Sequence, residues 1–300
     1  MEVWELEQKT QANAGFQKIE VEDDHLGVSY PLYLFYPTET EEKEGHLGPY
    51  QMSIAKGADP RKGSSPLVVL SHGTGGTPLV YRTLGRYLAR HGFFVAMPVH
   101  PFNNKDDNRL ENTRENLISR PMHITQTIDR LLTDDQLREY VDAGDISMIG
   151  HSMGGYTAVA AAGGVPATLP WETDDGNPET IAVEVERRIR RMILLAPALG
   201  WFRSAGALDR VDVPILVMTG EKDDITPSFH ADILLQGVPH PERVEHQVIE
   251  QAGHFSFLSP FPDVIKHPDF PPSQDPEGFD RGQFQMRLQE EVLEFLQKKG

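Results

Sequence analysis

The 300-residue sequence predicts an α/β fold, with a mostly parallel, doubly wound sheet of about eight strands and helices on both faces. Three observations carry that expectation. Short, apolar, β-branched runs recur along the chain and end at Gly, Ser or Pro, as strands buried on both faces do. Helix-length stretches lie between them, and such alternation builds parallel strands joined by crossovers. Size is the third. A chain of this length buries roughly three quarters of its unfolded surface. No internal repeat or linker divides it, so one domain spanning 1–300 is expected.

The elements follow in order. Residues 16–22 (FQKIEVE) and 28–36 (VSYPLYLFY) predict two paired edge strands around a polar DDHLG turn. Residues 37–65 carry Pro, Gly, Ser and charge without a sustained period and predict a loop. The run PLVVLSHG at 66–73 predicts the first buried strand. A helix at about 77–91 leads to the strand GFFVAMPV at 92–99, and a helix at about 121–140 to DISMIGHS at 145–152. A helix at about 153–163 precedes RRMILLAPA at 190–198. The strand VPILVMTG at 213–220, a helix at about 227–236, the strand RVEHQVIE at 243–250 and an amphipathic helix at 281–297 complete the chain. Residues 100–120, 164–187 and 255–280 break the alternation. Loops past strand ends are where ligand sites form in such sheets.

Composition narrows the function. The chain carries 28 basic and 45 acidic residues, a formal charge of −17. Phosphate backbones attract the opposite sign, so no nucleic-acid partner is expected. Anionic membrane surfaces repel it as well, so no stable membrane association is expected. No cysteine is present, which removes disulfides, thiolate metal sites and a Cys nucleophile. The opening MEVWELEQKT lacks the basic and apolar regions of a signal peptide, and a cytoplasmic protein is expected. A homodimer is compatible with all of this. No metal site is expected, since there is no H-E-x-x-H and His240 and His246 lie six apart.

The chemistry concentrates at residues 150–154, Gly-His-Ser-Met-Gly, set between an apolar strand and a small-residue helix. A strand-to-helix turn this sharp forces Ser152 into a strained backbone, and glycines two before and two after remove clashing side chains. The hydroxyl then projects at a helix N-terminus, where amide groups favour developing negative charge. Serine needs a base to take its proton. In elbows of this type an acid and then a histidine follow along the chain. Asp223, three residues past the strand-ending Gly220, fits the acid, with Asp224 and Glu221 as alternatives. His254, after Gln251-Ala252-Gly253, fits the base. An oxyanion hole needs two backbone donors. The amides of Met153, after the nucleophile, and Thr74, in the glycine-rich His72-Gly73-Thr74-Gly75-Gly76 loop, are the candidates. Gly73, His151, Trp171 and Phe255 are expected to contact substrate. Phe102, Trp201, Phe202 and Phe257 also follow strand ends, and His100 is expected to make a structural hydrogen bond.

With those residues in view, the chain resembles the serine α/β-hydrolases through HGTGG, GHSMGG, GEKDDITP and AGHFSF. Within them it more closely resembles the bacterial predicted dienelactone hydrolases related to the platelet-activating-factor acetylhydrolases. Shared stretches are YPT at 36–38, SHGTGG at 71–76, MPVHPFNN at 97–104, RP at 120–121, GHSMGGYTA at 150–158, HFSFLSPFP at 254–262 and DPEGFDR at 275–281. The resemblance covers nearly everything after about residue 20. It implies the α/β-hydrolase fold, a Ser152–Asp223–His254 triad, a small-molecule ester substrate, no cofactor, and a lid or pocket-wall role for the 164–187 insert.

Overall fold

The structure, a computed structural model, describes residues 12–298. The MEVWELEQKT segment, for which no signal peptide is expected, lies outside the described residues. Six consecutive parallel strands form one side of the sheet, out to its β10 edge: β5 (Ser65–Ser71), β6 (Phe94–Pro98), β7 (Val141–His151), β8 (Ile189–Leu195), β9 (Ile215–Gly220) and β10 (Val244–Ile249). Ahead of them, β1 (Asn13–Asp23) and β2 (Val28–Thr38) pair antiparallel, with Phe16 opposite Phe35. The strands β5 to β9 are buried almost throughout, which explains why their sequences read as continuous apolar runs rather than alternations.

Among the described residues the sheet has ten strands, not about eight, in the order β10-β9-β8-β7-β5-β6-β2-β1-β4-β3. The extra pair comes from the segment expected to be loop. There, β3 (Lys43–Leu47) and β4 (Tyr50–Lys56) form a hairpin in which Leu47 pairs with Tyr50 across Gly48-Pro49. Gly48 takes φ +57°, the conformation that a two-residue hairpin loop demands and glycine supplies. Through β4 the hairpin joins β1, so β1 and β2 are interior strands rather than the edge. Only Leu47 is buried in β3, so the sequence carries no apolar period to announce it.

Among the described residues five α-helices flank the sheet: α1 (Arg82–Arg90), α2 (Arg114–Thr133), α3 (Met153–Ala161), α4 (Phe229–Gly237) and α5 (Arg281–Gln297). Helix α2 begins seven residues before the expected start and runs through Pro121. Proline lacks the N–H that would serve the carbonyl four residues back, here Leu117. That carbonyl is satisfied instead by the Tyr156 hydroxyl, which donates to it at 2.8 Å from α3. A fully buried tyrosine therefore repairs the break that the proline makes, and α2 continues without interruption.

Removing that donor leaves a buried carbonyl unpaired, at a cost of about 1–3 kcal/mol. Tyr156→Phe is expected to lower the urea midpoint accordingly, and an unchanged midpoint would show that Pro121 needs no such repair.

Candidate active site

The site forms where β7 turns into α3. Ser152 sits at that junction with φ 55° and ψ −121°, a conformation that costs a non-glycine residue about 1–3 kcal/mol. Three backbone hydrogen bonds hold it there. Its N–H donates to the Leu195 carbonyl at 3.1 Å, and its carbonyl accepts from the amides of Gly155 at 2.8 Å and Ala198 at 2.9 Å. The turn is so close that a Cβ on Gly150 would lie 2.1 Å from the Gly154 carbonyl oxygen. One on Gly154 would lie 2.0 Å from the Ser71 carbonyl oxygen. Both positions therefore require glycine.

The loops after β9 and β10 bring the acid and the base to this serine. His254 Nε2 is 2.9 Å from Ser152 Oγ, and His254 Nδ1 is 2.9 Å from Asp223 Oδ2. Asp223 can only accept, so Nδ1 carries the proton and Nε2 is free to accept the serine O–H. The amides of Ile225 and Thr226 donate to Asp223 Oδ1 at 2.9 and 2.8 Å, and Thr226 Oγ1 donates to Oδ2 at 2.8 Å. Burial opposes the charge on Asp223, but hydrogen bonds from His254 and Thr226 outweigh it and hold the carboxyl below the usual range. Asp224, the alternative acid, is exposed.

His151 braces the base from behind. Its Nε2 donates to the His254 carbonyl at 2.9 Å, so its Nδ1 accepts from the Tyr81 hydroxyl, also at 2.9 Å. Burial pushes His151 down to about 3, so it stays neutral. Across the serine, the Gly73–Gly76 turn closes with the Gly76 amide donating to the Gly73 carbonyl at 3.1 Å. Met153 is the first residue of α3, a position whose N–H has no acceptor within the helix.

The overall fold is shared with known proteins. A family profile described as alpha/beta hydrolase fold matches residues 66–197. The solved ferulic acid esterase from Streptomyces cinnamoneus superposes with a TM-score of 0.66 over 96% of this chain and 89% of its own, at 18% identity. The chain has the α/β-hydrolase fold. Two curated relatives from Thermobifida alba, cutinase est1 and cutinase est2, are each 26% identical over 238 residues. That alignment covers 73% of this chain and 69% and 68% of theirs.

Within this fold a cleft of about 200 Å³ opens onto Ser152. Gly73, Thr74, His151, His254 and Phe255 line it, as their sequence positions suggested. Trp171 does not. It is 66% exposed, and no residue of 164–187 lines the cleft. The physical reason is its neighbour. The Pro170–Glu172 turn directs Glu172 inward, where it accepts the Trp201 indole N–H at 2.8 Å and the Leu169 amide at 2.7 Å. Phe102, Trp201, Phe202 and Phe257 are likewise absent from the lining, and Phe202 stacks on Tyr156 instead.

Several lining residues escaped the sequence reading. Tyr50 arrives from the unexpected hairpin, with the Arg82 guanidinium 3.8 Å over its ring. Leu258, Phe270 and Pro272 come from the long 255–280 segment, Tyr81 from the 3-10 turn before α1, and Lys105 from the loop after β6. Lys105 pairs with Asp106. No catalytic motif assigns these positions to a pocket, because they converge only after folding.

Beside the site four fully buried histidines are kept neutral. Burial, and for His72 and His100 the nearby Arg120 charge, lowers His72 to about 3 and His100 well below the usual 6.5. Burial likewise lowers His123 against the pull of Asp23, and His151 joins them. The unfolded chain binds protons at these positions below about pH 6.5, whereas the folded chain does not. Stability is therefore lost as pH falls below 6.5, by up to about 1.4 kcal/mol per pH unit per histidine. The urea midpoint is expected to drop steeply from pH 7.5 to pH 5. A midpoint that stays level across that interval would contradict the neutral assignment.

Proposed function

We propose that this chain is a serine hydrolase of carboxylic esters, acting through an acyl-enzyme intermediate. The observation that carries the reading is the continuous hydrogen-bonded line from Ser152 Oγ through His254 to Asp223, built on a serine held at positive φ. Strain of that kind persists where surrounding structure over-determines it, commonly at catalytic positions.

In this reading Ser152 Oγ attacks the ester carbonyl carbon while its proton passes to His254 Nε2. The carbonyl oxygen takes the electron pair and is stabilised by the amides of Thr74 and Met153. Asp223 stabilises the imidazolium without taking its proton. The tetrahedral centre collapses, the C–O bond to the alcohol breaks, and His254 protonates the departing alkoxide. Water, deprotonated by His254, then attacks the acyl-serine and releases the acid.

The cleft supports uncharged esters of short to medium acyl chain. Val80, Phe255, Leu258, Phe270 and Pro272 offer apolar contact, while about 200 Å³ of space limits chain length. The net charge of −17 slows encounter with anionic esters, and the charge of Lys105 at the rim is offset by Asp106. The names of the relatives, cutinase and ferulic acid esterase, agree with ester chemistry. The finer kinship proposed is with the dienelactone hydrolase and platelet-activating-factor acetylhydrolase group, supported by SHGTGG, MPVHPFNN and HFSFLSPFP. Among the described residues no helix is long and apolar enough to cross a membrane.

Ser152→Ala is expected to lower kcat on p-nitrophenyl butyrate by on the order of 10⁴-fold while the circular dichroism spectrum is kept. A fluorophosphonate should add one mass equivalent to the unsubstituted protein and none to the variant. A folded variant that retains a tenth of the turnover would sink the assignment. Across p-nitrophenyl esters from acetate to palmitate, kcat/KM should climb over a few carbons, by up to about 0.8 kcal/mol for each methylene, and then fall. A maximum at palmitate, with activation on an emulsified triglyceride, would overturn the short-chain reading.

A further inference from the structure

We infer that Arg120 is a positioning residue that braces the two peptide units flanking the oxyanion hole. The inference rests on the hydrolase reading above. Arg120 lies on α2, is fully buried, and lines no part of the cleft. Its guanidinium joins the two halves of the site. On one side Nη2 donates to the carbonyl of His72, the residue before Gly73-Thr74. On the other, Nε donates at 2.8 Å to Thr157 Oγ1, which in turn donates at 2.9 Å to the carbonyl of Met153. Thr74 and Met153 are the residues whose amides, in that reading, stabilise the developing oxyanion. One rigid, planar group thus sets the spacing between the loop that carries one donor and the helix that carries the other. Nη1, donating to Asn103 Oδ1 at 2.6 Å, fixes the guanidinium plane.

A buried cation without compensation costs several kcal/mol, and among the described residues no carboxylate forms an ion pair with Arg120. The counter-charge sits at the end of a relay. Asp23 only accepts, so His123 Nε2 carries the proton of that 3.0 Å bond. His123 Nδ1 must then accept from His100 Nδ1 at 3.0 Å, and His100 Nε2 from the Ser71 hydroxyl at 2.8 Å. Ser71 Oγ accepts from Arg120 Nη2 at 3.2 Å. Every bond points from the cation toward the carboxylate, so each polarises the next. His100 also donates its backbone amide to His72 Nε2 at 3.2 Å, and His72 Nδ1 donates to the Gly73 carbonyl at 2.7 Å. The same array therefore grips the oxyanion loop a second time.

The position calls for arginine. Lysine keeps the charge but has no planar fork to reach Thr157, Asn103, Ser71 and the His72 carbonyl together. The test uses the full chain with p-nitrophenyl acetate and a neutral fluorophosphonate. Removing an oxyanion donor outright costs about 10²–10³ in kcat, so a loosened loop should cost about tenfold. Arg120→Lys is expected to lower kcat about tenfold with KM within about twofold, and to slow phosphonylation of Ser152 in parallel. Thr157→Val, which cuts one arm of the brace with little change of volume, should lower kcat about threefold with the same KM. If Arg120→Lys does not fold, Thr157→Val decides. A merely structural role would lower Tm and leave kcat and phosphonylation unchanged in the folded variants. That result, or a raised KM at unchanged kcat, overturns the inference alone. An unsubstituted protein that hydrolyses no ester and takes no phosphonate at Ser152 overturns the hydrolase reading and this inference with it.

Discussion

Ser152 stands at φ 55° between a buried strand and a buried helix, and much of the surrounding architecture serves to keep it there. The restraint comes from parallel pairing. Leu195 at the end of β8 accepts the serine amide, and Ala198 just beyond donates to its carbonyl, so the neighbouring strand fixes both sides of the residue. The glycines at 150 and 154 let β7 and α3 pack closely enough for those bonds to form. With the serine fixed in space, the loops after β9 and β10 need only deliver a carboxylate and an imidazole to its hydroxyl. Both distances in that line are 2.9 Å.

Behind the site lies a second, less usual layer. Where a hydrolase-fold core could have been entirely apolar, this one buries Arg120, Asp23, His72, His100, His123 and Ser71 in a single hydrogen-bonded array. Such a network is tolerable only when every member is satisfied. Here each ring nitrogen has one assignable role and each donor has an acceptor. Burial and the hydrogen bonds from His123 and Gln126 act oppositely on Asp23, and the bonds prevail, lowering it to about 2. The array stays ionised at its two ends and neutral between them, and it spans four segments that are remote in sequence.

The cleft shows how additions to a common sheet shape specificity. The β3–β4 hairpin extends the sheet and contributes Tyr50, held flat beneath Arg82, whose guanidinium also donates to the Pro260 carbonyl. The long segment after His254 supplies Phe270 and Pro272. The acidic insert at 164–187 turns away from the cleft and is anchored by the Glu172–Trp201 bond. Apolar contact at the cleft therefore comes from the hairpin, the turn before α1 and the segment after β10 rather than from the insert between α3 and β8.

The central sheet, the elbow and the order of Ser152, Asp223 and His254 were legible in the sequence, because each is encoded locally. A strand buried on both faces is an apolar run, and a strained turn needs glycines at set distances. Two things were not legible. The β3–β4 hairpin has too few buried residues to show a period, and α2 runs through a proline whose orphaned carbonyl finds its donor thirty-nine residues later, in Tyr156. Nor could spacing reveal which residues would share a cleft or a hydrogen bond. Trp171 looked like a pocket wall and faces outward, while Tyr50 and Arg120 carried no motif and lie at or against the site. Local pattern reports how a segment packs against a generic core. Which side chains meet is decided by register, crossover and loop path, and those exist only once the chain has folded.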